Sequence, residues 1–319
     1  MLIQKVKVKN FGPFVGNHEM SFSYGDSNNV NVILGNNGTG KSSLFDALRW
    51  CLYGNNSLSK EFNSYINYQS AWKTNGEMSV ELTLKTNDNK KYILSRKQRF
   101  QKTIKGEETH LDGLLNLKIE NKNGTVRDVI ENLKILDQYP ILFFVNSEEI
   151  YNFISLINDQ KIKIPENFGK ILESNANSLI KKWDTKNSFT RGKLKIVEGK
   201  LQLLSEDGVD HLSSLAASEQ ILLNFLILIL VKNILFPKSF LVIDNSFGHA
   251  DLLTRTSLVN NIPSLLSQTI LFLHETEFLG ICYKTTRNVK EELIKNNCIV
   301  REYQIQYNPK KYSSKIIAR

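Results

Sequence analysis

The sequence predicts an α/β fold built around a P-loop, and three stretches carry that expectation. Asn29 to Leu34 (NVNVIL) reads as a strand that feeds the glycine-rich loop GNNGTGKS and then a helix. Ser239 to Asp244 (SFLVID) reads as an apolar strand that ends in a carboxylate. Thr269 to His274 (TILFLH) is another apolar strand, one helix later, that ends in a histidine.

The remaining elements follow in order. In MLIQKVKVKNFG, lysines alternate with Val6 and Val8, the period of a half-buried strand and not of a signal peptide. His18 to Tyr24 is a second short strand. From Ser42 to Tyr53 the residues Leu44, Ala47, Leu48 and Cys51 share one helical face, and Gly54 stops the helix. EMSVELTLK alternates cleanly, and Lys91 to Phe100 is its hairpin partner across Asn87-Asp88-Asn89. Lys85, Lys90, Lys91, Arg96, Lys97, Arg99, Lys102 and Lys105 crowd this segment, which reads either as a track for DNA phosphates or as a solvated hairpin edge whose lysines block edge pairing. Leu115 to Asn121 is a further strand. Ile141 to Asn146 (ILFFVN) is a short strand opening a helix at SEEIYNFISLI. A helix starts at Pro165 and runs to Trp183 without a sustained heptad. Leu194 to Leu204 reads as a hairpin around Glu198-Gly199. A long apolar helix, the Asp244 strand, a helix over 252–266, the His274 strand and a strand-rich tail ending REYQIQY complete the chain.

Composition narrows the class. The 319 residues are 41% hydrophobic and 23% charged, a balance that buries a full core. A net charge of +9 and a pI near 9.2 favour polyanionic partners, although a lysine-rich solvated surface gives the same numbers. Cys51, Cys282 and Cys298 form no pairing framework, which fits a reducing cytoplasm. The run Ile221 to Phe236 contains Asn224, Lys232 and Asn233 and is shorter than the roughly 20 apolar residues of a membrane span, so it reads as a core helix.

The loop carries specific chemistry. Gly35 to Ser42 satisfies GxxxxGK[ST] at every defined position, between a strand and a helix. Gly35, Asn36, Asn37, Gly38, Thr39, Gly40, Lys41, Ser42 and Ser43 are therefore the candidate phosphate cradle for ATP. Lys41 has the reach for the β- and γ-phosphates, and the Ser42 hydroxyl is a Mg²⁺ ligand. Asp244 is the acidic partner for that Mg²⁺. His274 sits where a residue sensing the γ-phosphate belongs, against the simpler reading of a structural histidine.

Together these pieces resemble the ABC-type ATPase heads of the SMC-like family, which includes SbcC, RecN, RecF and DndD. GNNGTGKSSLFDALRWCLYG resembles their P-loop and following helix, IDNSFGHAD their Walker B and D-loop, LHETE the switch-histidine region and VNSEEI the Q-loop. ILFFVNSEEI and REYQIQY are most similar to the DndD group of DNA-phosphorothioate systems. The resemblance implies a mixed sheet with an antiparallel β subdomain. It implies an N-terminal lobe over 1–150, a short helical connector over 151–193 and a C-terminal lobe over 194–319, the two lobes forming one head. It makes Asp251 the D-loop acid and gives Asn146 the place of the glutamine that contacts metal and water.

Three departures from the family pattern stand out. Residues 151–193 occupy the place of a long coiled coil, as in a head-only protein or an engineered deletion. The signature motif is degenerate: Leu215-Ala216-Ala217-Ser218-Glu219 leaves Ser218 and Glu219 as its contact residues, and a slipped alignment makes Ser213 the signature serine. Asn245 stands where a catalytic glutamate usually follows the Walker B aspartate, and an amide cannot take a proton from water.

The resemblance implies a cytoplasmic ATPase that dimerises on ATP, Lys41 and Ser42 of one copy facing the Ser218 region of the other. It implies a DNA-directed role in antiphage defence or repair with an effector or nuclease partner, and no membrane partner. Asn245 and Ala216 favour an alternative, a non-hydrolysing nucleotide-gated scaffold that regulates a nuclease or toxin. An RNA- or tRNA-directed toxin module and a transporter ATPase are further readings. For catalysis the candidates are Asn245, His274 and Asn146, and for metal Ser42, Asp244 and Asn146. A sheet that places the Asp244 strand beside the P-loop strand is expected.

Overall fold

The structure is a computed structural model that describes residues 1–25, 29–67, 76–86, 90–102, 108–110, 114–119, 140–159, 161–162, 166–183, 192–244, 258, 261–276, 289–295 and 299–319. In chain order it opens with β1 (Leu2–Phe11), β2 (Phe14–Ser21), β3 (Val30–Leu34) and α1 (Lys41–Tyr53). Four antiparallel strands follow: β4 (Glu77–Lys85), β5 (Lys91–Lys102), β6 (Glu108–His110) and β7 (Leu114–Ile119). Then come β8 (Phe144–Asn146), α2 (Ser147–Tyr151), α3 (Phe153–Asn158), α4 (Glu166–Trp183), β9 (Lys193–Val197) and β10 (Lys200–Leu204). The chain closes with α5 (Ala217–Leu235), β11 (Phe240–Asp244), β12 (Gln268–Leu273), α6 (Val289–Lys295), β13 (Ile299–Asn308) and β14 (Ser313–Ala318).

Among the described residues twelve strands form one mixed sheet in the order β6-β5-β4-β1-β2-β14-β13-β3-β12-β11-β8, with β7 also on β5. The half from β13 to β8 is parallel, and the half from β6 to β2 is antiparallel. The two halves show it in their side chains. β3, β11 and β12 are buried at every position, as strands covered on both faces must be. β4 alternates, with Met78, Val80, Leu82 and Leu84 inside.

The long helix α5 is buried from Ile221 to Lys232 and packs on α2, α3 and α4. It is long and apolar enough to cross a bilayer, yet it lies in the core, where each buried leucine or isoleucine contributes about 1.5–3 kcal/mol. Lys232 is fully buried within it, its ammonium against Ser239 Oγ and 5.5 Å from the centre of the Phe143 ring. The hairpin β9–β10 turns at Glu198 and Gly199, both at positive φ, as a two-residue type I′ loop requires. Amides close its outer edges: Asn177 exchanges hydrogen bonds with both backbone groups of Leu194, and Asn158 does the same with Leu201.

Several expectations change. The second strand is Phe14–Ser21 instead of 18–24, because the turn at Gly12-Pro13 lets β2 pair with β1 at once. Pro140–Leu142 is a 3₁₀ turn, and the strand shrinks to Phe144–Asn146. The helix after it breaks at Asn152 into α2 and α3. Of the helix expected over 252–266, residues 258 and 261–266 are described, and all but Leu266 are helical; Asn87-Asp88-Asn89 lies outside the described residues. The strand order also overturns the expectation for Asp244: β12 lies between β11 and the P-loop strand β3. Adjacency is unnecessary, because parallel strands about 5 Å apart present all their carboxyl ends along one edge.

Candidate functional site

The P-loop leaves β3 at Leu34 and enters α1 at Lys41. Gly38 and Gly40 have φ of +76° and +106°, a backbone region open to glycine. A Cβ on Gly35 would stand 2.4 Å from Thr39 Oγ1, so no side chain fits there. Lys41 Nζ donates to the carbonyls of Gly35 at 2.7 Å and Asn36 at 3.1 Å, which folds the ammonium back across the loop. The N-cap of α1 is Gly40, and no side chain caps the helix. Its first-turn N–H groups and the positive end of its dipole therefore face the exposed loop of Asn36, Asn37 and Gly38, beside exposed Ser42. Glycines dictated by backbone geometry, an uncapped helix start and a buried lysine together fit a polyphosphate.

Strand register brings the other candidates to the same edge. Ile33 pairs with Phe272, Phe272 with Asp244, and Asp244 with Asn146. One row thus crosses β3, β12, β11 and β8, with Gly35 and His274 two positions beyond it. The Gly35 N–H donates to the Leu273 carbonyl at 3.2 Å, tying the loop to the strand that leads to His274. Asp244 is mostly buried, at 8% exposure, as the last residue of β11.

His274 has an assignable tautomer. The Thr276 backbone N–H, which can only donate, reaches Nδ1 at 3.2 Å, and Thr276 Oγ1 lies 2.7 Å from the same nitrogen. Nδ1 is therefore the acceptor, and a neutral ring carries its proton on Nε2. Such a ring offers a donor at Nε2, and its one lone pair, on Nδ1, is turned to Thr276.

Asn146 is the N-cap of α2 within a reciprocal capping box. Its Oδ1 accepts the Glu149 N–H at 2.8 Å, and the Glu149 carboxylate accepts the Asn146 N–H at 2.8 Å. The other Glu149 oxygen lies 3.6 Å from Arg49 Nη1 on α1. Burial pushes the Glu149 carboxyl above its usual range, while Arg49 and the Asn146 N–H pull it back. Arg49 thus links the P-loop helix to the Asn146 turn. The Asn-x-x-Glu spacing at 146–149 was a readable capping signal, but nothing in the sequence pointed to Arg49.

The degenerate signature lies at the start of α5. Ala216 is the N-cap, and the Glu219 carboxylate accepts its N–H at 2.8 Å, so Glu219 serves the helix start. Among the described residues neither Ser218 nor Glu219 hydrogen-bonds to the P-loop. Ser213 is exposed in a 3₁₀ turn before Leu215. Asn245 and Asp251 lie outside the described residues.

The lysine- and arginine-rich hairpin divides. Arg96 turns inward, with Nε 3.4 Å from the Cys51 carbonyl and its guanidinium 5.9 Å from the centre of the Trp50 ring, at the end of α1. Arg99 and Lys9 both pair with Glu77, and Lys7 pairs with Glu81. Lys97 lines an open groove with Lys7, Lys9, Glu77 and Glu81. The outer face of β1, β4 and β5 therefore carries both signs in alternation. Lys105 is outside the described residues.

Comparison with known proteins agrees with this architecture. A family model described as an AAA domain matches residues 5–229. The C subunit of nuclease SbcCD from Staphylococcus haemolyticus (strain JCSC1435) is 29% identical over 164 residues, covering 47% of this chain and 16% of that protein. Its counterpart in Staphylococcus aureus (strain MRSA252) is 28% identical over 159 residues, with 47% and 15% covered. The match thus spans less than a fifth of the length of either relative. Among solved structures, the SMC head domain from Thermotoga maritima superposes with a TM-score of 0.59 at 18% identity, covering 100% of this chain and 99% of that one. An SmcHead bound to the C-winged helix domain of ScpA gives 0.66 at 18%, covering 100% and 98%. The glycine cradle, the parallel row from Ile33 to Asn146 and the matched family model lead to one statement: this chain belongs to the AAA domain family, with the fold of an SMC head.

Proposed function

We propose that the chain is an SbcC-like ATPase head that binds ATP between the P-loop and the edge formed by Asp244, Asn146 and His274, and that it serves a DNA-directed process. The observation that carries this is the single row of residues from β3 to β8, which gathers those candidates at one carboxyl edge. Lys41 and the first-turn N–H groups of α1 hold the β- and γ-phosphates. The Ser42 hydroxyl and the Asp244 carboxylate would hold Mg²⁺, which neutralises charge on the phosphate oxygens. His274 donates from Nε2 toward the terminal phosphate, and Asn146 orients water. Two copies close on ATP, each P-loop facing the start of the partner copy's α5 at Ser218, and release when the bond to the terminal phosphate is cut. The finer likeness to DndD rests on ILFFVNSEEI and REYQIQY alone. Defence or repair with an effector or nuclease partner is the process we assign to it.

Titration calorimetry with Mg-ATP tests the reading. The natural protein should bind, and Lys41→Ala should abolish binding, since among the described residues no other cation is bonded across the loop. Equal affinity in the two proteins would remove the nucleotide site.

A second reading, a nucleotide-gated scaffold with little turnover, draws on the His274 tautomer and on Asn245. Neither a histidine that donates from Nε2 nor an amide after Asp244 can take the water proton. Phosphate release from saturating ATP, with and without DNA, separates the two readings.

A further inference from the structure

The phosphate loop is held from outside its own motif. Ser314, on the last strand and 1% exposed, makes two bonds at once. Its backbone N–H donates to the Pro13 carbonyl at 2.7 Å, and its Oγ donates to the Thr39 carbonyl at 2.6 Å. It thereby joins the β1–β2 turn to the P-loop. That turn is already pressed on the loop, since a Cβ on Gly40 would stand 2.7 Å from Pro13 Cγ, and one on Gly12 would stand 3.3 Å from Ser43 Cβ. β13 backs the loop's other end, with Ile305 Cβ 3.4 Å from where a Cβ on Gly35 would be.

A second hold comes from the segment after α1. The Tyr65 carbonyl accepts the Gly12 N–H at 2.6 Å, and Asn67 Nδ2 donates to the Gly12 carbonyl at 2.8 Å. Tyr65 is itself anchored to α1. Its hydroxyl donates to Asp46 Oδ2 at 2.5 Å, and Ser59 Oγ donates to the same oxygen at 2.6 Å. Asp46 is 1% exposed, and both donors meet its Oδ2, while its buried Oδ1 has no hydrogen-bond partner. The connections form a closed ring: α1 to Tyr65, Tyr65 to Gly12, Pro13 to Ser314, and Ser314 back to Thr39 just before α1.

We propose that Ser314 and Tyr65 are positioning residues for nucleotide binding, a two-sided clasp that sets the P-loop backbone in its phosphate-receiving shape before ATP arrives. Ser314 bonds the loop directly, and Tyr65 acts through Gly12 and Pro13. Preorganisation of this kind lowers the ordering cost of binding and so appears in affinity. The proposal rests on the nucleotide reading given above for its effect on ATP, but the shape of the loop can be measured without ATP.

The experiment uses the full chain with Ser314→Ala, Tyr65→Phe and the double variant. In nucleotide-free protein, amide exchange over residues 36–41 should quicken in each single variant while β11 and β12 keep their natural rates. Affinity for Mg-ATP should fall about tenfold per variant, the effect expected of one buried hydrogen bond. Turnover at saturating ATP should stay within about twofold, because the loop reaches the same shape once loaded. Unchanged exchange over 36–41 in both single variants would overturn the clasp, and so would exchange that quickens throughout the sheet, which marks a general loss of stability. If the natural protein fails to bind Mg-ATP, the nucleotide reading falls, whereas the exchange data still decide the clasp.

Discussion

Asn224 lends its side-chain oxygen to the backbone N–H of Ile154 at 2.7 Å, from within a stretch of α5 that is otherwise hydrocarbon from Ile221 to Val231. Ile154 stands in the first turn of α3, where a helix has no internal acceptor for its N–H groups. A neighbouring helix thus supplies the missing cap. Asn224→Ala should leave that N–H buried and unpaired and lower stability by about 1–3 kcal/mol. Urea unfolding at constant m-value measures it. A midpoint at the natural value would mean that water or a shifted α3 replaces the bond.

On the proposed reading, the catalytic step turns on Asn245 and His274. Asn245→Glu places a carboxylate after the Walker B aspartate, and a positioned general base typically contributes roughly 100- to 10,000-fold. ATP turnover should therefore rise in this variant, with Mg-ATP affinity little changed. His274→Ala should raise KM or lower turnover modestly, since the ring acts as a hydrogen-bond donor from Nε2. Complete loss of activity in His274→Ala, with no gain in Asn245→Glu, would make His274 the base and contradict its tautomer here.

Lys232 predisposes the fold to a pH dependence. Burial drives its ammonium down to about 7, and among the described residues no carboxylate pairs with it. The unfolded chain keeps this proton to near pH 10.4, so between about pH 7 and 10.4 the unfolded state binds more protons. Stability from this group is lowest below pH 7 and rises with pH across that window, by at most about 1.4 kcal/mol per unit. Lys232→Met should raise the melting temperature at pH 6, and the gain should shrink toward pH 10. A gain independent of pH would assign the effect to packing alone.

The basic hairpin calls for two different outcomes. Arg96→Ala should destabilise the fold by about 1–2 kcal/mol and leave DNA affinity unchanged, because the side chain serves Trp50 and the end of α1. Reversal of Lys97 and Arg99 to glutamate should weaken duplex binding without altering ATP affinity, and flatten its salt dependence by about two charges. Filter binding from low to moderate salt measures both. Duplex affinity indifferent to the reversals would place any DNA contact away from β5.

The sequence by itself determined the loop, the strands that lead to Asp244 and His274, and the alternating antiparallel subdomain. Each is a local pattern: the GxxxxGK[ST] spacing is a chain of neighbours, and apolar runs or two-residue alternation record burial directly. The helix that follows Asn146 was legible as well, but not its break at Asn152. Only the tertiary structure decided which strand lies beside which, and it placed β12 between the P-loop strand and the Asp244 strand. Only the tertiary structure showed that Arg96 turns inward, that Arg49 ties α1 to Glu149, and that Ser314 bonds Thr39 from the far end of the chain. A serine in SSKIIAR has no periodicity or motif to announce a bond across 275 positions, because a hydrogen bond depends on distance in space and leaves no spacing in the chain.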